Sequence, residues 1–436
     1  MFREGFFKAV TLIIIMIVMV GAKCNKDVVA TPSAIVVPSS GYETIQKAIN
    51  AANPGEVIRV TAGTYYENLI VNKSVSVIGE DPANTVIDGG GNGNVITVIG
   101  SNVVVSGFTI QNGKQGNWPY CGISVFGCSF VVVNNTLLRD NYYGLQVAKS
   151  NDSKILNNNI MNSSYAGIYI HDSSSNNVFF ENIIENNFIG LWGSNSPSNI
   201  FYHNNFVNNT NQWRALPPVI LDNGAEGNYW SDYKGSDTDL DGIGDSPFAG
   251  DNYALMGMFT NFTVDYETQT YFLSTICNST ISSFEFDESH GKISFDVLGP
   301  NDTIGFCRIA IPIALIQHKC IILVDGRVPP LFGNWTASTY GYRYFVYGNT
   351  GVAKKVTIEV ELPGKGTPPS LLVPALIAVS LVAIVLIIII LVKGGLGKKI
   401  KSKFLKKQIL ILRNYYLVMW KLLGSKGTQP ALGKFV

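Results

Sequence analysis

The stretch from Asp237 to Asp245 reads DTDLDGIGD, with carboxylates at positions 1, 3, 5 and 9 and glycine at position 6. Hard oxygens on alternating residues wrap one hard cation, and the glycine permits the sharp turn between them. The spacing therefore predicts a calcium loop of EF-hand or dockerin type. Its ligands would be the side chains of Asp237, Asp239, Asp241 and Asp245 and the backbone carbonyl of Ile243. Position 12 departs from the pattern: it is Phe248, where a bidentate acid is wanted. Asp232, Asp251 or water would have to fill that place. Calcium here would be structural, neutralising a cluster of acids.

Other chemistry-bearing residues are scattered. Asp140, Asp152, Asp172, Glu181 and Glu185 form no pair at the spacing a glycosidase needs, about 5–9.5 Å across a cleft. Arg139 beside Asp140 is the one basic neighbour that a lyase site would draw on. No Ser-His-Asp set and no HExxH motif is present. Copper handling wants clustered Met, His and Cys. Here His171, His203, His290 and His318 are far apart in sequence, and only Met256 and Met258 are close.

The elements that carry these residues follow from a repeat. Gly122, Gly144, Gly167 and Gly190 open look-alike segments, GISV, GLQV, GIYI and GLWG, at a period near 23 residues. Short apolar runs at that period mean a β-solenoid. Counting from each glycine, Ile123, Leu145, Ile168 and Leu191 and then Val125, Val147, Ile170 and Gly193 fall on the inward side. The same count aligns Asn159, Asn182 and Asn205 as a stacked ladder, followed by Ile160, Ile183 and Phe206. Outward positions present Tyr169, His171 and Trp192, with Gln146 one rung back. Tyr169 and Trp192 would stand about 4.8 Å apart on neighbouring rungs, exposed and able to stack on a sugar ring. These three are the candidate ligand-binding residues.

Before the repeat, Ile45, Ala48, Ile49 and Ala52 mark one face of a short helix over 44–52, capped by Thr44, that covers the open end of the solenoid. After it, alternating segments such as SFEFD (283–287), KISFDVLG (292–299) and KVTIEVEL (355–362) predict an immunoglobulin-like β-sandwich. The expected order is a signal peptide over 1–22, a linker over 23–40, the β-solenoid, a parallel β-helix, over 41–258 and the sandwich over 259–363. A stalk over 364–370, a transmembrane helix over 371–392 and a basic tail over 393–436 complete it. The class is all-β with one C-terminal membrane helix.

Charge fixes the orientation. Residues 393–436 hold ten Lys, one Arg and no acid. The positive-inside rule places that tail in the cytoplasm and the body outside the cell membrane. The tail reads as an amphipathic helix on the inner leaflet, not as a nucleic-acid binder. Nine N-x-S/T sequons, Asn261 among them, all lie in the body, as in an extracellular glycoprotein. All six cysteines fall between 24 and 320; Cys121 and Cys128 are close enough in sequence to pair, and the remaining connectivity stays open.

Residues 42–80 (YETIQKAINAANPGEVIRVTAGTYYENLIVNKSVSVIGE), with the Gly/Asn rungs that follow, resemble the NosD and CASH-type right-handed β-helix proteins, whose fold is that of pectate lyases. The segment GNYWSDYKGSDTDLDGIGDSPF (227–248) is similar to the end of such helices in archaeal surface proteins. That resemblance implies carbohydrate binding, polysaccharide lysis or hydrolysis, or an accessory role in a membrane complex. With the conspicuous Asn assigned to ladders and no catalytic pair found, the sequence points to a non-catalytic carbohydrate-binding or cell-envelope scaffold. Its partners would be the membrane and a surface polysaccharide.

Overall fold

In a computed structural model, the structure describes residues 34–116, 120–215, 219–316, 320–337, 339–360 and 362. The expected signal peptide, stalk, membrane helix and tail lie outside the described residues, as do Cys24 and His318. Among the described residues no helix is long and apolar enough to cross a membrane.

Residues 34–230 wind a right-handed parallel β-helix of about eight turns, with three sheets of nine, seven and eight strands. Most strands have only three to six residues, and each pairs in register with the strands one turn before and after it. Register puts like side chains on top of one another. Ile123, Leu145, Ile168 and Leu191 form one buried column, as the glycine count predicts. Val133, Ile155, Phe179 and Phe201 form a second, in which the two phenyl rings stack at 4.2 Å. Each turn thus buries its apolar face only against its neighbours. The opening glycines are forced by close approach: a Cβ on Gly144 would lie 2.4 Å from Ile160 Cγ2, and one on Gly190 would lie 2.5 Å from the Gln212 carbonyl oxygen.

The polar ladder is real but not composed as the count suggests. Its members are Thr136, Asn158, Asn182, Asn204 and Asn228. Each Asn Oδ1 accepts from the backbone N–H of the previous rung, at 3.1–3.2 Å. The amide groups also chain to one another at 2.8–3.0 Å. Asn159 pairs with Ile183, which pairs in turn with Asn205, all on the outward phase. The fixed offset fails because the turns differ in length. The third of these rungs takes an extra residue before Asn182, so the ladder steps by 24, 22 and 24 residues rather than by a constant 23. A one-residue slip moves a side chain to the other face. For the same reason Ile184, not Ile183, stacks between Ile160 and Phe206.

Both ends are closed. The helix Ile45–Ala51 buries Ile45, Ala48 and Ile49, and Thr44 accepts from Lys47 N–H at its start. Glu67 accepts from the Ile45 and Gln46 N–H groups at 2.9 Å each, placing a carboxylate at the helix N-terminus. The expected linker is in part a strand: Ala34–Val37 pairs with Val57–Val60 and extends the first sheet. At the far end Asp251, fully buried, accepts from Asn228 N–H at 2.8 Å and from the Trp230 indole at 3.0 Å, terminating the Asn ladder.

Residues 258–360 form two antiparallel sheets of five and four strands that share one apolar core. Leu273, Ile309 and Phe345 come from one sheet, and Phe295, Ile322 and Ile358 from the other. Cys277 and Cys307 are cross-strand neighbours and remain buried thiols; Cys121 and Cys128 form no disulfide. Cys128 packs in the β-helix core, whereas Cys121 lies in a separate aromatic cluster, so the two side chains leave their strand region in different directions. The β-helix and the sandwich belong to one compact unit that ends at Leu362. They are joined in part by Asn205, whose amide donates to Phe259 O and accepts from Phe259 N–H at 2.8 Å each. The side chain expected in the interior ladder is instead a clamp between the domains.

Candidate functional site

Tyr169, His171 and Trp192 point away from the β-helix core, as expected, but they are not an exposed pair. Only 7% of Tyr169 and 4% of His171 is exposed. The reason is crowding by further rings. Tyr143, Tyr169 and Trp192 form an inner row, with centroids 5.2 and 4.3 Å apart and planes within about 20° of parallel. Tyr142, Tyr165 and Phe188 form an outer row that flanks it. His171 stacks on Tyr169 at 4.2 Å, and its ring nitrogens face Gln146 and Asp172. Gln146 also accepts from the Cys121 thiol at 2.8 Å. His171 is thus held in a buried polar chain. The accessible groups of this face are Tyr142, Tyr165, Phe188, Trp192 and Arg214, whose guanidinium stands 5.9 Å over the Trp192 ring.

In the acidic loop, ligand oxygens of Asp237, Asp239 and Asp241 lie within 4.8 Å of one another. Asp237 accepts from the Asp241 and Gly242 N–H groups at 3.1 and 3.0 Å, and Asp241 accepts from Ile243 N–H at 2.8 Å. Burial, together with repulsion from Asp239, raises the carboxyls of Asp237 and Asp241. A bound cation would favour the ionised form of both carboxylates. Asp245 does not join them. Its carboxylate is taken by the hydroxyls of Thr238 and Ser236, at 2.6 and 2.9 Å, which hold it below its usual range. Asp251 is committed to the Asn ladder. Phe248 packs against Tyr233 and exchanges backbone hydrogen bonds with Asp251, so the twelfth position serves as an anchor. Ile243 bridges to Leu255 and packs in a cluster with Ile276, Phe306 and Tyr344 of the sandwich.

That loop is tied to a charged network at the junction of the domains. Arg308 is 98% buried and donates through Nη1 to the Asp241 carbonyl at 3.1 Å. Its Nη2 meets Glu226 Oε1 at 2.7 Å, and the other Glu226 oxygen meets His203 Nε2 at 2.6 Å. Burial alone would raise Glu226; His203 and Arg308 outweigh it and hold the carboxyl at about 2. The His203 ring is stacked on Phe259 at 3.8 Å.

With a parallel β-helix capped by a helix and closed by an Asp-bearing segment, the likeness to known proteins can be placed. Residues 46–235 match the family model for NosD, described as a periplasmic copper-binding protein. No curated protein matches the chain. Among solved structures, pectin methylesterase PemA from Erwinia chrysanthemi is similar at 16% identity, over 39% of this chain and 60% of its own, with a TM-score of 0.30. A pectin methylesterase from carrot is similar at 14% identity, over 46% of this chain and 72% of its own, with a TM-score of 0.31. The tailspike protein gp49 of Acinetobacter baumannii bacteriophage Fri1, a capsular polysaccharide depolymerase, is similar at 10% identity, over 77% of this chain and 86% of its own, with a TM-score of 0.27. The match thus spans less than two thirds of PemA.

In the NosD-like segment His171 and His203 are each engaged by a different acid, Asp172 and Glu226, and His290 of the sandwich is engaged by Asp287. The converging metal-ligand group is the Asp237, Asp239 and Asp241 set, whose hard oxygens suit calcium and not copper. Glu226 and Arg308 lie outside the repeat and belong to no motif, and in the sequence Glu181 is an unpaired acid and His203 a scattered imidazole. A correct register would have found them: both occupy the turn position just before a ladder Asn, where an earlier rung carries Asn157.

Proposed function

We propose that the chain is an extracellular β-helix surface protein, held to a membrane by residues 371–392, that binds a linear polysaccharide along its aromatic face without cleaving it. The observation that carries this reading is the double row of rings at rung spacing, Tyr143–Tyr169–Trp192 flanked by Tyr142–Tyr165–Phe188. A ladder of aromatic side chains repeats along one axis, as the sugars of a polysaccharide do. Buried Tyr169 and His171 stiffen the row, and half-buried Trp192 and Tyr165 offer the stacking edge. Asp172, at the end of the strand that carries Tyr169, is paired with His171 at 3.1 Å.

In this reading the acidic loop holds calcium through Asp237, Asp239 and Asp241, with water in place of Asp245. The ion stiffens the segment that joins the β-helix to the sandwich. Two measurements test these statements on the full-length protein in detergent. Affinity electrophoresis against neutral and acidic polysaccharides should show retardation with no release of reducing or unsaturated ends. Release of such ends makes the protein a depolymerase and overturns the binding-only reading. For calcium, thermal unfolding with excess chelator should lower the midpoint by several degrees, and calcium but not magnesium should restore it. An unchanged midpoint removes the ion from the reading.

A further inference from the structure

Beside the His203–Glu226 pair, between the outer face of the last β-helix turns and the five-stranded sheet of the sandwich, lies a cleft of about 310 Å³. Its walls are Phe180 and Tyr202 from the β-helix and Phe272 and Tyr342 from the sandwich, with Glu181 and Asn261 among the polar groups. Phe180 and Tyr202 stack in parallel at 5.6 Å.

Three observations set this cleft apart from an incidental gap. The first is backbone conformation. Asn135, Asn157, Glu181 and His203 hold the same corner on successive rungs with φ of 49°, 53°, 57° and 58°. Asn and His tolerate that left-handed conformation, but Glu is poorer there. The two replacements are the two corner residues that border the cleft. The second is an unmet demand for donors. Glu181 receives Asn261 Nδ2 at a long 3.3 Å, and Asn261 Oδ1 is buried without a partner. Burial pushes the Glu181 carboxyl up, and the pull of His203, Asn261 and Asn157 does not reverse it. The third is commitment of the other charges. Glu226 is closed by Arg308 and His203, so Glu181 is left as the carboxylate with capacity for a ligand. One carboxylate and one engaged imidazole do not make a metal site, and the acid disfavours anionic ligands. A volume near the lower end of small-molecule sites, about 300–1,000 Å³, suits one ring and not a chain.

We propose that this cleft binds a single neutral sugar ring, the terminal residue of a glycan, whose hydroxyls donate to Glu181 while its apolar face lies on Tyr202. It adds to the glycan-binding reading, on which it rests for the chemical class, a second site that reads the end of a chain where the ring row reads its length. The full-length protein in a sugar-free detergent is examined by saturation-transfer NMR with methyl glucoside, methyl galactoside, N-acetylglucosamine and glucuronate as probes. At least one neutral sugar should show transfer and glucuronate none. Glu181→Gln and Tyr202→Ala should each weaken the affinity about tenfold, the loss expected from one hydrogen bond to a charged group or one stacking face. The cleft variants are compared in the Trp192→Ala background, so that sugar held by the ring row does not contribute, and thermal unfolding of each variant checks that it is folded. Absence of transfer from every neutral sugar overturns the cleft, as does transfer that survives both cleft variants. Transfer lost in Trp192→Ala alone overturns the cleft but supports the ring row. Transfer with intact cleft dependence but no polysaccharide retardation supports the cleft and sinks the row.

Discussion

Two sets of buried polar groups lie within a few rungs of each other and behave differently. The Asn ladder in the β-helix interior is neutral, periodic and nearly self-sufficient: Asn182 accepts from Asn158 N–H and Nδ2 and donates to Ile155 O and Asn204 Oδ1. The junction network of His203, Glu226 and Arg308 is charged and occurs once. It leaves an unsatisfied atom at Arg308 Nε, with another at Asn261 Oδ1 beside it. Repetition lets identical amides complete one another, so the ladder has no capacity left for a ligand. A single network must be closed by whatever the next domain supplies, and at this junction it is closed incompletely. Unspent hydrogen-bonding capacity, more than polarity itself, is what separates a candidate site from scaffold.

The largest effect should come from the ladder. Asn182→Ala removes the acceptor of Asn158 N–H and Nδ2 and the donor to Ile155 O, Phe180 O and Asn204 Oδ1, and should cost about 4–6 kcal/mol in denaturant unfolding. Asn159→Ala, one position away but outward and bonded only to Glu185 at 3.0 Å, should cost under about 1 kcal/mol. Equal costs would restore the constant 23-residue alignment and break the contrast. Arg308→Ala should cost about 3–5 kcal/mol, because it leaves Glu226 buried with only His203. The same measurement with Glu226→Gln added should recover part of that loss; no recovery would mean that Arg308 acts through packing.

Acid should separate the end groups by sign. Glu226 titrates at about 2 in the fold against an ordinary 4.5, so its stabilisation is complete above 4.5 and is lost as pH falls toward 2. Burial raises Asp251 to about 6 against 3.8. It therefore costs stability above 6 and returns that stability as pH falls from 6 to 3.8. Each contribution is of order 3 kcal/mol at full extent. Stability should therefore rise and then fall on acidification, with Asp251→Ala flattening the first limb and Arg308→Ala the second. A monotonic curve in the wild type would contradict the opposed signs.

Much of the architecture was legible because a solenoid writes its fold in its period. The inward columns at Ile123–Leu191 and Val125–Ile170 and the capping helix follow from spacing alone. The Asn register did not, since turns of 22 and 24 residues average to 23 and conceal the slip at Asn182. Strand Ala34–Val37 was hidden in a Pro/Ser-containing stretch with no partner nearby in sequence. The aromatic face was half legible. Its rung spacing was right, but the burial of Tyr169 and His171 depends on Tyr142, Tyr143 and Tyr165, which stand before the repeated glycine motif. The convergence of Asp237, Asp239 and Asp241 was legible in their spacing, whereas Asp245 is diverted by Thr238 and Ser236, short hydroxyls that no metal motif takes into account. The cleft was not legible at all, since half of its wall comes from a domain with no repeat.

Affinity electrophoresis of the full-length protein and its Trp192→Ala variant, with the gels assayed for released sugar ends, tests the central claim most directly. Glycan binding along the ring row predicts retardation of the wild type by at least one polysaccharide, loss of most of it in Trp192→Ala at unchanged thermal stability, and no released ends in either. Equal retardation of the two proteins, or ends released by the wild type, would contradict it.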